Sequence, residues 1–254
     1  MIIKSLAEDA QLREAIHDLH QVGWETFMRR DKIGNRYWDF LLQHFSQHQI
    51  VVTNEETGEP MATGNSLLLH WDGTLEDLPE GWDDAILRSY EAIQKGHVLN
   101  TICALAVVIN PKFRRLGLSE RVLSEMKKKA EVHGVERFIV PVRPSKKAQH
   151  PYVSMEDYIH WKTEKGEPYD PWLKVHCKIG GKILTICHQS MYIDGTIEEW
   201  EQWTNLKLTQ QTECLIPTGL VPLKIEHEHD YAYYVEPNVW VEHPLTLSQK
   251  AIKV

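Results

Sequence analysis

The sequence predicts an α/β protein with a central mixed β-sheet flanked by helices, and three observations carry that expectation. Ala104 to Ala130 (ALAVVINPKFRRLGLSERVLSEMKKKA) joins an apolar, β-branched run of strand length to a short basic turn and an amphipathic segment. The segments up to Val142 read in the order strand, helix, helix, strand, strand, strand, helix, strand, a mixture that neither a helical bundle nor an all-β sandwich shows. The composition of the 254 residues, 42% hydrophobic and 25% charged, is that of a globular chain with ample material for a core.

The first strand is expected over Ile2 to Lys4, followed by a helix over Ala10 to Met28 with Leu12, Ile16, Leu19 and Val22 on its apolar stripe. Trp38, Leu41, Leu42 and Phe45 share a face of a second helix over Tyr37 to Phe45. Gln49 to Thr53 and Met61 to Leu69 read as strands joined by a Gly- and Pro-containing turn. Asp72 to Lys95, rich in Asp, Glu, Pro and Trp, reads as an insertion. Leu105 to Ile109 forms the central strand, closed by Asn110-Pro111. Leu118, Val122, Leu123, Met126 and Ala130 then line one helical face, with Gly134 as the stop. A strand at Arg137 to Val142 leads into a second insertion, Pro144 to Pro171, whose many aromatic side chains argue against disorder and suggest a lid over the substrate. A short helix from Asp170 stops at Gly180-Gly181, and a strand runs over Ile183 to Ile193. Ile197 to Trp203 reads as a helix, and Gly219 to Glu226 and Ala232 to Val241 as strands. The expectation is a single domain over 1–254, with a core over about 1–195 and a C-terminal extension over about 196–254.

The turn before the second amphipathic helix carries the chemistry. A helix N-terminus offers unpaired N–H groups and a partial positive charge, and Gly117 just ahead of it lets an anion approach the backbone. No Gly-Lys-Ser/Thr opens the helix and only one glycine is present, which excludes a P-loop and a dinucleotide fingerprint. Arg114-x-x-Gly117-x-Ser119 resembles the Arg/Gln-x-x-Gly-x-Gly/Ala signature of the GNAT superfamily of N-acetyltransferases. Ser119 departs from it where glycine or alanine is usual, a small residue the turn tolerates. The resemblance implies a GNAT-like acyl-CoA N-acyltransferase fold. In it the backbone of Val107, Val108 and Ile109 would pair with the pantetheine arm of acetyl-CoA or another acyl-CoA, and the turn Arg114, Arg115, Leu116, Gly117, Leu118 and Ser119 would hold its pyrophosphate.

The reaction so implied is direct attack of an amine on an acyl thioester, which needs a base, a stabilised oxyanion and an acid for the thiolate. The family often places a tyrosine acid four residues before a glycine on the helix after the fifth strand. Aligned on Gly180, that position is His176, whose imidazole can exchange a proton near neutral pH. Thr101 to Ile109 has no carboxylate to act as base, and His70, Asp72 and His97 are left as undistinguished candidates. Tyr158 and Trp161 of the second insertion are expected to meet the acceptor. Two histidines in His227-Glu228-His229-Asp230 alternate as on one strand face, but a metal needs a third convergent ligand and none is identified, so no metal is expected.

Net charge is −8, which excludes a general nucleic-acid binder. Between Lys112 and Lys147, however, eleven Lys or Arg stand against four Asp or Glu, a basic island suited to the phosphates of a coenzyme A. The four cysteines have neither zinc nor C-x-x-C spacing, and no run approaches the length of a membrane span, so a cytoplasmic protein without membrane partner is expected. The acceptor is expected to be the amine of a small or peptide-like molecule, and a homodimer is left open. A non-catalytic acyl-CoA-binding sensor or interaction module of the same fold, and an acyl-CoA decarboxylase-like or ester-forming variant, stand as alternatives.

Overall fold

The computed structural model describes residues 1–246. In chain order the elements are β1 (Ile2–Ser5), α1 (Leu12–Gly23), α2 (Lys32–His44), β2 (Gln49–Thr53), β3 (Pro60–Leu69), α3 (Trp82–Lys95), β4 (Thr101–Ile109), α4 (Leu118–His133) and β5 (Arg137–Val142). They continue with α5 (Met155–Tyr158), α6 (Pro171–Lys178), β6 (Lys182–Gly195), α7 (Ile197–Thr204), β7 (Glu213–Cys214), β8 (Leu223–Glu226) and β9 (Tyr231–His243). The strands form one sheet in the order β1-β2-β3-β4-β5-β9-β8-β7, with β6 also paired to β9. All pairs are antiparallel except β4 with β5, so the sheet is mixed.

The helices cover both faces. Val122, Leu123, Met126 and Ala130 of α4 bury against Ile50, Ile102 and Phe138 on one side, while Ile16 and Leu19 of α1 meet Val51, Ala106 and Val108 on the other. Trp82 and Ile86 of α3 extend that second layer over Leu67, Leu69 and Cys103. Side chains of a regular strand alternate between faces, and β4 breaks the alternation once. Its register against β3 shifts so that Asn65 opposes Ala106 and Ser66 opposes Ala104, leaving Leu105 as the extra residue of a bulge. Before the bulge Ile102 and Ala104 face α4; after it Val107 and Ile109 do.

Several sequence expectations change. The first helix ends at Gly23, not Met28, where Trp24 turns extended (φ −105°, ψ 140°); the chain passes so close to β4 there that a Cβ on Gly23 would lie 2.1 Å from Val108 Cγ1. The second begins earlier, at Lys32, where the Asp31 side chain accepts the Gly34 N–H as a cap. The second half of Asp72 to Lys95 is no surface insertion but α3, closed by a left-handed Gly96. The C-terminal residues are not appended to a finished core either. Strand β9 lies within the sheet, pairing β5 through Phe138–Val142 and β6 along almost its whole length. The His227–His229 segment is a single 3₁₀ turn rather than a strand, so its two histidines share no strand face. Among the described residues no helix is long and apolar enough to cross a membrane, and no group of three or more His, Cys, Asp or Glu is placed to hold a metal ion.

Candidate active site

Strands β4 and β5 run parallel and pair only through Thr101–Arg137, Ile102–Phe138 and Cys103–Ile139. Beyond that they part. A cavity of about 700 Å³ opens in the fork, lined by Ala104 to Ile109 from one strand and Val140 to Arg143 from the other. A backbone edge with no strand beside it presents free N–H and C=O groups, so β4 past Cys103 can pair with an extended ligand in place of its missing neighbour. On the β5 side Pro141 carries no N–H, a residue tolerated where a strand edge is open. The bulge is held from the far side: Trp82 Nε1 donates to the Leu105 carbonyl at 3.0 Å, and Trp82 itself walls the cavity.

Arg114 stands in the cavity wall where β4 runs into α4. Between them the backbone takes two left-handed residues, Arg115 (φ 68°) and Gly117 (φ 71°), the latter the N-cap of α4. A non-glycine residue pays strain of about 1 kcal/mol or more in that region, and such strain concentrates at binding turns. Successive N–H groups in a turn of this kind converge into an anion-binding concavity. Nothing in the protein lies within 4 Å of where a Gly117 Cβ would be, so the face is open to a ligand. Val107, Val108, Ile109 and Arg114 therefore lie in one cavity wall, and Arg115 to Ser119 follow directly on from it.

The other candidate residues are elsewhere. His176 is fully buried between α6 and β9, its Nδ1 2.8 Å from His243 Nε2, and does not line the cavity. Burial holds it as neutral imidazole, its pKa down to about 3, with His243 at about 4 for the same reason. A histidine in that state, away from the cavity, is a packing and hydrogen-bonding group. Tyr158 is equally buried, donating to Asp170 Oδ2 at 2.9 Å, and its ring meets Trp161 and Tyr169 edge or tilt. Tyr158, Trp161 and Tyr169 thus pack the flap onto α6 and α4's layer instead of lining the cavity, while Tyr152 is exposed; only the insertion's base, Ser145, Ala148 and Gln149, reaches the wall. Lys147 is buried with its ammonium donating to the His150 and Leu220 carbonyls, which removes it from any phosphate. His70, Asp72 and His97 are also outside the lining.

Two carboxylates that the sequence reading passed over do line the cavity. Glu25 is exposed on the α1–α2 connection, and Glu236 is fully buried on β9. Glu236 receives Arg143 Nε, the Tyr234 hydroxyl and, at 3.4 Å, Asn238 Nδ2. Arg143 also donates to the carbonyl of Thr218 at 2.7 Å, itself left-handed at φ 63°. The signal was present: a charged residue in the alternating apolar run of β9 is out of place unless something needs it.

No protein-family model matches the chain. It is 33% identical over 250 residues to arginine N-acetyltransferase avaD of Aspergillus versicolor, across 87% of this chain and 85% of that protein. Among solved structures, the loading GNATL domain of CurA from Lyngbya majuscula superposes with a TM-score of 0.62 at 17% identity, over 96% of both chains. A GNAT-like decarboxylase, GphF, in complex with isobutyryl-CoA gives 0.58 at 14% identity, over 97% of this chain and 100% of the other. At those identities the structural likeness is one of fold.

Proposed function

Since the chain belongs to the GNAT superfamily of N-acetyltransferases and is an acyl-CoA-dependent N-acyltransferase, we propose that it moves an acetyl group from acetyl-CoA to a nitrogen of a small cationic acceptor, with arginine the first candidate. The observation that carries this reading is the fork between β4 and β5, with a left-handed turn and a helix N-terminus at its end. In it the pantetheine arm takes the free edge of β4 from Ala104 to Ile109, and the pyrophosphate takes the N–H groups of Arg115 to Ser119. The choice of a cationic acceptor rests on the exposed carboxylate of Glu25 in the wall and on the relative's own acceptor.

The amine must lose a proton to attack. Glu236 already accepts from Arg143, Tyr234 and Asn238, so Glu25, the exposed one, is the carboxylate free to take it, directly or through one water. The amine nitrogen then adds to the thioester carbonyl, its π electrons moving onto oxygen as the N–C bond forms; collapse of that adduct restores the carbonyl and breaks the C–S bond, and the departing thiolate takes a proton from solvent. Thiol release from acetyl-CoA, followed with arginine as acceptor and with product mass measured, tests the reading. Release that depends on arginine and an acetylated product support it; hydrolysis without an acetylated amine, across a panel of cationic amines, would overturn it.

A further inference from the structure

The two faces of the sheet meet the fork with different chemistry. The glycine turn opens α4, whose apolar side packs on the face that also receives Val140 and Val142 of β5 and Val239 and Val241 of β9. On β9, Tyr234 and Trp240 point the other way, into the layer of α3, and alternation puts Glu236 on that side between them. Arg143, just past the end of β5, reaches Glu236 there and lines the cavity beside it. The Arg143 guanidinium is thus turned away from the α4 face and toward the layer that α1, α3 and Glu25 occupy.

Two of its three nitrogens are fixed. Nε donates to Glu236 Oε1, and Nη2 donates to the Thr218 carbonyl at 2.7 Å. Thr218 keeps a left-handed φ of 63° at that point, a costly state for a β-branched residue. The third nitrogen, Nη1, meets no acceptor among the described residues and is not sealed off by protein atoms. A guanidinium already held in direction loses little freedom when it takes a further acceptor, and its planar fork matches a carboxylate.

The charges leave room for that acceptor. Glu236 is fully buried and acts on two cations, Arg143 and Lys147. The Lys147 ammonium donates to the His150 and Leu220 carbonyls and makes no ion pair among the described residues. Two positive charges against one negative favour an anion in front of Arg143. Across the same cavity stands the exposed carboxylate of Glu25. A lining that offers both signs fits a ligand that carries both.

We propose that Arg143 binds the carboxylate of the acceptor, with Glu236 as its positioning residue, so that the acceptor is a free amino acid and not a decarboxylated amine or a peptide-bound residue. The inference rests on the acyl-transfer reading above and adds the acidic end of the molecule that receives the acyl group.

Three ligands on the full chain test it. Agmatine keeps the amine and the guanidine of arginine but lacks the carboxylate, and arginine amide replaces it by a neutral group. Calorimetry of each with the protein saturated in coenzyme A reads the contact whether or not transfer occurs. Arginine is expected to bind about tenfold or more tightly than either analogue. Arg143→Gln combined with Glu236→Gln removes both charges together, so neither is stranded. It should raise arginine KM to that of agmatine and leave agmatine KM, acetyl-CoA KM and Tm near wild type. Arg143→Lys keeps a cation against Glu236 without the open Nη1 and should lose most of the preference. Equal binding of the three ligands by the wild-type protein, no arginine binding, or a preference that survives the double substitution would overturn the inference. So would a rise in acetyl-CoA KM with arginine KM unmoved, which would give Arg143 to a phosphate of the coenzyme. Arginine binding in the expected pattern with no transfer would instead overturn the acyl-transfer reading.

Discussion

Cys103 faces Ile139 in the parallel register of β4 and β5, and it is the last residue of β4 to have a partner on that side. Two residues later Leu105 forms the bulge that turns the strand's alternation over, and Trp82 anchors its carbonyl. The fork and the bulge together create a free backbone edge lining a cavity, where a linear amide-bearing ligand can complete the sheet.

The turn at the end of that edge is the first thing to alter. Gly117→Glu puts a bulky anion at the turn proposed to hold the pyrophosphate, and adds the strain of a side chain at φ 71°. Acetyl-CoA affinity should fall by about 2 kcal/mol or more while folding stability falls by only about 1 kcal/mol. Calorimetry and thermal unfolding on one preparation separate the two, and unchanged affinity would remove the turn from the binding site.

Glu236 is fully buried against Arg143 and the Tyr234 hydroxyl. Glu236→Ala strips both of their acceptor and should cost about 3 kcal/mol, the low end for a buried ion pair because Arg143 reaches the cavity. Glu236→Gln keeps an acceptor and should cost less. Urea unfolding of the two variants gives the comparison; equal losses would mean the charge on Glu236 does not matter.

The His176–His243 pair sets an acid limit. Both folded pKa values, about 3 and about 4, lie below the ordinary histidine value, so the unfolded chain binds protons first as pH falls. Stability from this pair is complete above about pH 6.5 and declines toward pH 4, by up to about 1.4 kcal/mol per pH unit for each histidine. His20 and His48, lowered to about 4 and about 3 by burial, act in the same direction. His176→Gln should flatten the decline between pH 6.5 and 4 and leave turnover per folded molecule near wild type. A loss of turnover on the order of ~10² with intact structure would return His176 to the chemistry.

Tyr158→Phe removes a buried hydroxyl from Asp170, which keeps its bonds to the Lys146, Trp172 and Leu173 N–H groups. Stability should drop by about 1–2 kcal/mol with acceptor KM unchanged. A raised acceptor KM at constant Tm would instead make the flap a lid.

What the sequence made legible was local. The strand, the glycine turn and the helix from Ala104 to Ala130 are contiguous, and their periodicity and punctuation are strong, so the strand, the left-handed Gly117 and the start of α4 could be read residue by residue. The carboxylates Glu25 and Glu236 could not, because they are more than two hundred positions apart and meet only when β9 enters the sheet beside β5. The same event misled the reading of His176. A helix aligned on Gly180 has the right length and cap, but β9 delivers His243 onto its inner face and closes it from the cavity. The aromatic flap failed for a related reason: rings spaced as a pocket lining are also spaced to pack on one another, and Tyr158, Trp161 and Tyr169 do so.

Hydrogen exchange of the backbone amides, with and without saturating acetyl-CoA, addresses the fork most directly, because an amide newly bonded to a ligand slows in place. Protection is expected at N–H groups between Ala104 and Ile109 and again from Arg115 to Ser119, with little change at β7 and β8 on the far side of the sheet. Saturation of the protein with acetyl-CoA while both segments exchange as in the free protein would contradict binding along the open edge of β4.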